Sequence, residues 1–390
     1  MLMRTVLLLG SLAMPAHAHL AVDKPSPPAT IEQQRGVPAG GKLLLFIGQD
    51  SDTIDAYQAQ VPEDALEGIT LYTTLKSNHP ADALPAVFSR ANWGAGDVDF
   101  NHSLARAPGA ALAIGLALDA CKQADHAARI AAGDYDASLD RLVGYLKSLA
   151  PRQVFLRIGY EFDGPWNCYE PSSYRAAFRH VASALKQRQA SNVMTVWQTA
   201  AWPDPGIAGA RSKLYDLRRK KHFERWYPGD DAVDWVGVSV FYRDLSQWAY
   251  VPPDRPEAAQ ERALAFARSR GKPVMIAESA PQGLRTGGLT RSPIQRNEAT
   301  GITAQAAWTW WYEPFFDFVD KNRDVIRAVA YINTHWEAQP MWRCKEGVQA
   351  GRPGCDNGNW GDSRIQANAY IRARWLEQVT DASKWVQAEE

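Results

Sequence analysis

The stretch QVFLRIGYEFDGPW, residues 153–166, joins an apolar run to an acidic residue and a sharp turn. Its first half is rich in β-forming residues, and only Arg157 interrupts the run, which predicts a strand buried in a core. Its second half holds Glu161, a Gly-Pro turn and Trp166. Loss of water raises the pKa of a carboxyl group at the end of such a strand, so Glu161 is a candidate general acid.

A second stretch repeats this arrangement. PVMIAESAP, residues 273–281, is an apolar run with Glu278 near its end. Either glutamate on its own could be an ordinary solvated residue at a strand end. Two glutamates in the same setting predict a pair of carboxylates that act on one substrate.

Six further runs resemble these two. Most are nearly continuous apolar segments with β-branched residues, as expected for parallel strands covered on both faces. The eight predicted strands are residues 43–49, 68–75, 110–118, 153–162, 192–200, 233–242, 273–280 and 328–336.

Amphipathic helical segments alternate with these strands. Eight strand–helix units predict the α/β class and a closed (β/α)8 TIM barrel, formed as a single domain by residues 42–390. An open doubly wound sheet is disfavoured, because a glycine-rich nucleotide-binding loop would usually follow its first strand and GQDSDTID stands there instead. The clearest helical segments are residues 135–149, 172–187, 256–269, 303–322 and 364–379.

Long connections follow the second, fifth, seventh and eighth predicted strands. All of them begin at the C-terminal face of the barrel, where long loops can build a substrate cleft. These connections are residues 77–109, 202–231, 281–302 and 337–363.

The start of the chain has the layout of a secretory signal peptide. Arg4 precedes an apolar run, and Ala16-His17-Ala18 supplies small residues before a cleavage point. We predict a signal peptide over residues 1–18, cleavage near Ala18 and a secreted or periplasmic product. Residues 19–41, rich in Pro, Ala, Gln and Gly, are predicted to form a flexible lead-in.

Composition narrows the choice of partners. Lys plus Arg and Asp plus Glu each total 43, so no excess charge favours nucleic acid or an anionic membrane. Fifteen tryptophans are many, and part of them are expected to form platforms on which sugar rings stack. The histidines show no metal-ligand spacing. We therefore expect a carbohydrate partner and no metal or other cofactor. We also expect the protein to be a monomer, although nothing in the composition bears on its oligomeric state.

Four cysteines remain for an exported chain. Cys344 and Cys355 are close together in a glycine-rich loop and are the first predicted disulfide. Cys121 and Cys168 follow adjacent predicted strands and are the second candidate pair. The other connectivities stay open from the sequence.

The chemistry follows from the strand count. Glu161 ends the fourth predicted strand and Glu278 the seventh, and these ends face each other across the mouth of an eight-stranded barrel. Retaining glycosidases need two carboxylates that flank one glycosidic bond. We assign Glu161 as the acid/base and Glu278 as the nucleophile.

Paired glutamates at these positions resemble the retaining glycoside hydrolases of clan A, and the chain is most similar to family 26, which includes β-mannanases. That family carries Arg-Pro-x-His-Glu-x-x-Gly-x-Trp around its acid/base. Residues 157–166 read RIGYEFDGPW, so Arg, Glu, Gly and Trp match in register. WYPGDDAVDWVGVSVFY, residues 226–242, is similar to the sixth-strand segment of the family, and KPVMIAES to its nucleophile strand. The similarity covers essentially the whole barrel.

The resemblance implies further roles. Tyr242 would orient the nucleophile, Trp336 would form the apolar floor under the cleaved sugar, and Trp166 would flank it. Arg157 would support the pair. The family usually has His before its acid/base, whereas this chain has Tyr160, so the mannanase substrate does not carry over. Weaker candidates for further subsites are Trp197, Gln198 and Trp202.

The predicted function is that of a secreted retaining endo-β-glycosidase acting on a β-linked polysaccharide. Mannan, xylan, glucan and a bacterial exopolysaccharide stay open as substrates. Two alternatives use the same fold. One is a catalytically silent carbohydrate-binding barrel, and the other is a transglycosylase with the same glutamate pair.

Overall fold

The computed structural model describes residues 30–62, 66–76, 79, 84–119, 121, 125–202, 211–241, 255–291, 299–342 and 360–387. Eight parallel strands close into a barrel in the order β1-β8-β7-β6-β5-β4-β3-β2. The predicted (β/α)8 barrel is therefore confirmed. The strands are β1 (Leu44–Gly48), β2 (Gly68–Thr74), β3 (Ala111–Ala117), β4 (Val154–Ile158), β5 (Val193–Thr199), β6 (Trp235–Val240), β7 (Val274–Ser279) and β8 (Ile326–Ile332).

Helices surround the barrel, and the longest of those described is α5, which buries Tyr174, Ala177, Phe178, Val181 and Leu185. Within the described residues, none of the helices is both long and apolar enough to cross a membrane. The α-helices are α1 (Ser51–Gln58), α2 (Phe100–Arg106), α3 (His126–Ala131), α4 (Asp136–Ser148), α5 (Pro171–Gln187), α6 (Ser212–Tyr215), α7 (His222–Trp226), α8 (Pro256–Ser269), α9 (Ala304–Ala307), α10 (Glu313–Lys321) and α11 (Ala369–Val379).

The predicted helix over residues 303–322 contains a local change of pitch. A π-helical turn, Trp308–Tyr312, separates α9 from α10. Pro314 stands in the first turn of α10. Because proline has no amide hydrogen to donate to the preceding turn, the regular helix is interrupted there.

Small paired strands decorate two loops. After β2, Ala91–Asn92 pairs with Asp97–Val98. After β7, Leu284–Arg285, Thr290–Arg291 and Thr300–Gly301 form a three-stranded sheet. Both lie in connections predicted to be long, on the face where the cleft is expected.

The strand alternation sorts side chains into two layers. The outer one fills the space between strands and helices, as expected for a barrel of this kind. The inner one is a plug of large residues: Phe155 packs edge-on against Phe46 at 5.4 Å and against Trp235 at 5.1 Å between ring centroids. Polar inward-facing residues therefore lie above this plug, toward the C-terminal ends of the strands.

Residues 30–41 are attached to the barrel. Arg35 donates to the carbonyl oxygens of Ser191 at 2.9 Å and Val193 at 2.7 Å, and Trp235 Nε1 donates to the Arg35 carbonyl at 2.7 Å. This part of the predicted flexible lead-in is therefore anchored, which corrects the prediction. The predicted signal peptide and residues 19–29 lie outside the described residues.

A disulfide joins Cys121 and Cys168, with their Cα atoms 5.0 Å apart. The second candidate pairing is thus confirmed. It ties the loop after β3 to the loop after β4. Cys344 and Cys355 lie outside the described residues.

Candidate active site

Glu161 stands three residues beyond the end of β4, which is shorter than predicted. The chain leaves the β conformation at Gly159, with φ of 54°, and Glu161 itself has φ of 51°. A side chain in this left-handed region is uncommon and usually marks a site where the surroundings enforce it. Asn167 helps to hold Glu161 in this conformation, because its Nδ2 donates to the carbonyl oxygens of Tyr160 and Glu161, both at 3.0 Å.

Glu278 owes its direction to an irregularity of β7. Val274 and Ile276 belong to the outer layer, so strict alternation would turn Glu278 toward the helices as well. The β6–β7 register instead shifts after Val238, and Ser239 pairs with Glu278. One extra residue on β7, Ala277, therefore forms a β-bulge and redirects the next side chain into the barrel.

One chain of hydrogen bonds connects the two glutamates. Ser239 Oγ donates to Glu161 Oε1 at 2.7 Å, and Gln198 Nε2 donates to Ser239 Oγ at 3.1 Å. Arg157 donates to Gln198 Oε1 at 3.3 Å and to Glu278 Oε1 at 2.9 Å. The residues come from β4, β5, β6 and β7, so adjacent strands hold both carboxylates at one end of the barrel.

Glu161 has the electrostatics of a general acid. Its side chain is nearly buried, with 8% exposed, and Trp166 Nε1 donates to its Oε2 at 2.8 Å. Burial, followed by the negative charge of Glu278, raises the pKa of Glu161 to about 8, although the bonds from Ser239 and Trp166 act in the opposite direction. Glu161 can therefore carry a proton near neutral pH.

Glu278 is held by two donors on one oxygen. Tyr72 from β2 donates to Oε1 at 2.8 Å, and Arg157 donates to the same atom at 2.9 Å. Burial raises the pKa of Tyr72 well above its ordinary value, so its hydroxyl stays protonated as a donor. Within the described part of the chain, no hydrogen bond reaches Oε2 of Glu278.

The approach of Tyr72 and Arg157 depends on a glycine in β3. A Cβ atom on Gly115 would lie 2.4 Å from Tyr72 Cδ1 and 2.7 Å from an Arg157 terminal nitrogen. Those distances are far below van der Waals contact. The missing side chain at position 115 therefore makes room for both groups that hold Glu278.

Tyr160 lies beside this cluster. Its ring meets Tyr72 edge-on at 5.4 Å, and the Arg157 guanidinium lies 4.8 Å from the Tyr72 centroid and 5.4 Å from that of Tyr160. The buried charge of Arg157 is thus flanked by two aromatic rings as well as by Glu278. The departure from the family motif at this position introduces a ring that packs against Tyr72 and Arg157, which hold Glu278.

Trp166 and Trp202 lie together on the Glu161 side. The Trp166 ring is 48% exposed, and it meets Trp202 edge-on with the ring centroids 6.2 Å apart. Both therefore remain candidates for sugar contacts, Trp166 from the motif and Trp202 as a weaker candidate near the fifth strand.

Two predicted subsite residues are placed elsewhere. Trp197 is fully buried in the outer layer, where it stacks on Phe162 at 4.3 Å, so it belongs to the core and not to a sugar subsite. Gln198 points inward but is also fully buried, because it links Arg157 to Ser239. Its position supports the pair instead of facing substrate. The prediction missed that neighbouring residues of a strand face opposite layers.

Trp336 is 1% exposed and lies in a turn after β8. Its indole donates to Ser363 Oγ at 3.0 Å, and its ring packs against Trp342 at 5.2 Å and Trp360 at 6.2 Å. Trp342 and Trp360, which are partly exposed, carry the accessible aromatic surface here. The sequence reasoning had not singled them out. Tyr242 lies outside the described residues.

Tyr72 and Ser239 are the other residues that sequence reasoning missed. Tyr72 faces the inside of the barrel, as do Gly68 and Thr70 of β2. The alternation of side chains along a strand could therefore have indicated it. Ser239 gave no signal of its own. Among the described residues there is no group of three or more His, Cys, Asp or Glu side chains that could hold a metal ion.

Comparison with known proteins finds relatives that align with most of this chain. The chain is 32% identical over 344 residues to a β-1,3-xylanase of a Vibrio species, and 31% identical over 340 residues to a β-1,3-xylanase of an Alcaligenes species. These alignments cover 87% and 86% of this chain. The chain spans 65% and 63% of the length of those two relatives. No protein-family model matches it.

Solved structures share the fold at low sequence identity. A family 26 β-mannanase from Bacteroides ovatus superposes with a TM-score of 0.53 at 13% identity, covering 87% of this chain and 89% of that one. A modular endo-β-1,4-mannanase from Cellulomonas fimi gives 0.51 at 13% identity, covering 89% and 72%. These structures show that the chain shares the fold of the family 26 mannanases.

Proposed function

We propose that this protein is a retaining endo-glycosidase that hydrolyses a β-linked polysaccharide by double displacement. The observation that carries the proposal is the hydrogen-bond chain from Glu161 through Ser239, Gln198 and Arg157 to Glu278. This chain supports the proposal that the two carboxylates act on the same substrate in different roles. Glu161 has a raised pKa, and Glu278 is held by the guanidinium of Arg157.

In the first step, Oε2 of Glu278 attacks the anomeric carbon while Glu161 gives its proton to the departing glycosidic oxygen. The carbon–oxygen bond to the leaving sugar breaks, and a glycosyl ester forms on Glu278. Tyr72 and Arg157 on Oε1 keep the other oxygen pointed at the sugar. Fixing the orientation in advance lowers the entropic part of the barrier.

In the second step, Glu161 acts as a base. It takes a proton from a water molecule that attacks the anomeric carbon, and the ester bond to Glu278 breaks. Ester formation removes the negative charge of Glu278, so the pKa of Glu161 falls and the carboxylate form is favoured when a base is needed.

The named relatives direct the choice of substrate. Both sequence relatives are β-1,3-xylanases, whereas the mannanase structures share only the fold. We therefore propose β-1,3-linked xylan as the first candidate. Release of reducing ends from β-1,3-xylan, β-1,4-xylan, β-1,4-mannan and β-1,3-glucan tests this choice, and preference for another glycan would reject it.

The roles are tested with two variants on an activated aryl glycoside. In Glu278→Ala, azide can occupy the vacated space and should restore turnover with inverted stereochemistry. In Glu161→Ala, azide should attack the glycosyl ester and give a product of retained configuration. The reverse pattern would exchange the two assignments. Binding of a glycan with no release by the wild type would favour a silent barrel, and sugar transfer without hydrolysis would favour a transglycosylase.

Secretion and the monomeric state are part of the proposal. The exposed position of Cys121 in a formed disulfide supports an oxidising compartment. N-terminal sequencing of exported protein should begin at His19, and a product that retains residues 1–18 would reject the cleavage site. Activity in the presence of a metal chelator is expected to match activity without it.

A further inference from the structure

The indole ring of Trp166 is exposed, yet it is hydrogen-bonded to the buried carboxyl group of Glu161. Its Nε1 donates to Glu161 Oε2 at 2.8 Å, yet 48% of the residue is exposed against 8% of Glu161. A ligand in the cleft can therefore touch the indole directly and affect the acid through one hydrogen bond.

Neighbouring residues hold the indole in this place. A Cβ atom on Gly164 would lie 2.4 Å from Cε2 of the indole, so the absence of a side chain there makes room for the ring. Asn167 fastens the same loop to the backbone of Tyr160 and Glu161, and the disulfide of Cys168 follows directly. The loop therefore presents the indole N–H to Glu161 in a defined way.

The direction of each hydrogen bond favours the ionised acid. An indole nitrogen only donates, so Glu161 Oε2 must accept. Ser239 Oγ accepts from Gln198, and its own hydrogen is directed to Oε1. Both carboxylate oxygens therefore accept, as an ionised group prefers. Of the two donors, only Trp166 is open to a ligand.

Other groups favour the protonated acid. Glu278 faces it from β7 and Asp163 from its own loop, and both negative charges raise the pKa of Glu161 beyond the effect of burial. Tyr160 and Tyr169 also interact with it, and burial raises the pKa of both phenols, so they stay neutral. The protonation state of Glu161 is thus a balance that one hydrogen bond can tip.

We propose that Trp166 is a positioning residue that couples the presence of the leaving-group sugar to the protonation of Glu161. This inference rests on the proposed double displacement. When a sugar stacks on the indole in the leaving-group position, the N–H moves off Oε2 and Glu161 takes up a proton from solvent, ready for the first step. After that proton leaves with the sugar, the N–H returns to Oε2 and holds Glu161 ionised for the attack of water.

Two variants break the bond in different ways. Trp166→Phe removes the N–H and keeps an aromatic ring. Gly164→Ala keeps the indole and pushes it aside, and alanine fits the backbone there because φ is −77°. Loss of this charge-assisted hydrogen bond in either variant should raise the pKa of Glu161 in the free enzyme by about 1 unit.

The assay is the pH dependence of kcat/KM, which reports the free enzyme, and of kcat, which reports the bound enzyme. With a β-1,3-linked xylo-oligosaccharide, the basic limb of wild-type kcat should lie above that of kcat/KM. With an aryl β-xylobioside, which has no sugar in the leaving-group position, the two limbs should coincide. In both variants the basic limb of kcat/KM should move to higher pH. The difference in pH between the basic limbs of kcat and kcat/KM, seen with the oligosaccharide, should then disappear.

The second step gives an independent readout. With a dinitrophenyl glycoside, whose leaving group needs no acid, release of the ester should limit kcat. The acidic limb of kcat should then move up in both variants, because Glu161 must be ionised to act as a base. A Trp202→Phe variant is the matched control, and it should leave every limb in place even where KM changes.

If Trp166→Phe raises KM but leaves the limbs of both pH profiles in place, Trp166 serves only as a surface on which a sugar stacks. That result would overturn the inference. A shift in Trp202→Phe equal to that in Trp166→Phe would do the same. A wild type that cleaves none of these substrates is a different result, because it rejects the proposed function itself.

Discussion

Replacing Gly115 by alanine tests how tightly Glu278, the proposed nucleophile, is supported. The added Cβ atom would lie 2.4 Å from Tyr72 Cδ1 and 2.7 Å from an Arg157 nitrogen, so one or both groups must retreat by about 1 Å to reach ordinary contact. Both of these groups bond Glu278 Oε1, and a displacement of that size typically costs about a hundredfold in rate. Overpacking of a closely packed interior should also destabilise the fold by about 1–3 kcal/mol.

The assay pairs reducing-end release with urea unfolding. The chain offers a matched control in Gly144, which lies within α4 and has open space around the position of an added Cβ atom. Gly144→Ala should keep full activity and stabilise the protein slightly, since alanine favours the helix. If Gly115→Ala turns over substrate at the wild-type rate, the packing of Tyr72 and Arg157 does not position Glu278, and this account of the site is wrong.

Three further results are expected. Burial raises the pKa of Asp50 to about 6, above its unfolded value, so ionisation of Asp50 costs stability as the pH rises through 4 to 6. Above pH 6, Asp50→Asn should therefore be more stable by about 3 kcal/mol in urea unfolding, and an unchanged midpoint would contradict this. The basic limb of kcat/KM should lie near pH 8, because Glu161 must stay protonated. In Glu278→Gln, titration of Glu161 by NMR should give a lower pKa, since a negative neighbour has been removed, and a higher pKa would refute the electrostatic coupling of the two glutamates. Replacing Cys121 and Cys168 by serine should destabilise the fold by about 2–4 kcal/mol and lower kcat, because the disulfide holds the loop that carries Glu161. Full activity in the double variant would show that this loop keeps its shape without the disulfide.

The local patterns of the chain predicted the parts of the site that repeat along the sequence. Apolar runs with β-branched residues gave all eight strands, and the two glutamates were found because each closes such a run. The strand ends were less accurate. Predicted strand four extended to residue 162, whereas β4 ends at Ile158, because Gly159 and Glu161 adopt left-handed conformations that apolarity does not report.

Aromatic residues were harder to place from the sequence. Trp166 lies in the mouth of the barrel, while Trp197 and Trp336 are nearly or fully buried. The large apolar ring is common to all three, so composition cannot separate a platform from a core residue. Strand parity separates Trp197 from its neighbour, but for Trp336 only the packing of the loops after β8 decides.

The sequence by itself determined the barrel and led to the two glutamates proposed as a pair, since both follow from hydrophobic periodicity and from what ends each run. Tertiary structure alone decided where the carboxylates point and what bonds them. Glu278 turns inward through a bulge at Ala277 that breaks the two-residue repeat. Its partners Tyr72 and Arg157, and the Ser239 that bonds Glu161, come from different strands of the barrel. Contacts between distant segments leave no periodic trace in a sequence, because they arise only when the strands close into a ring.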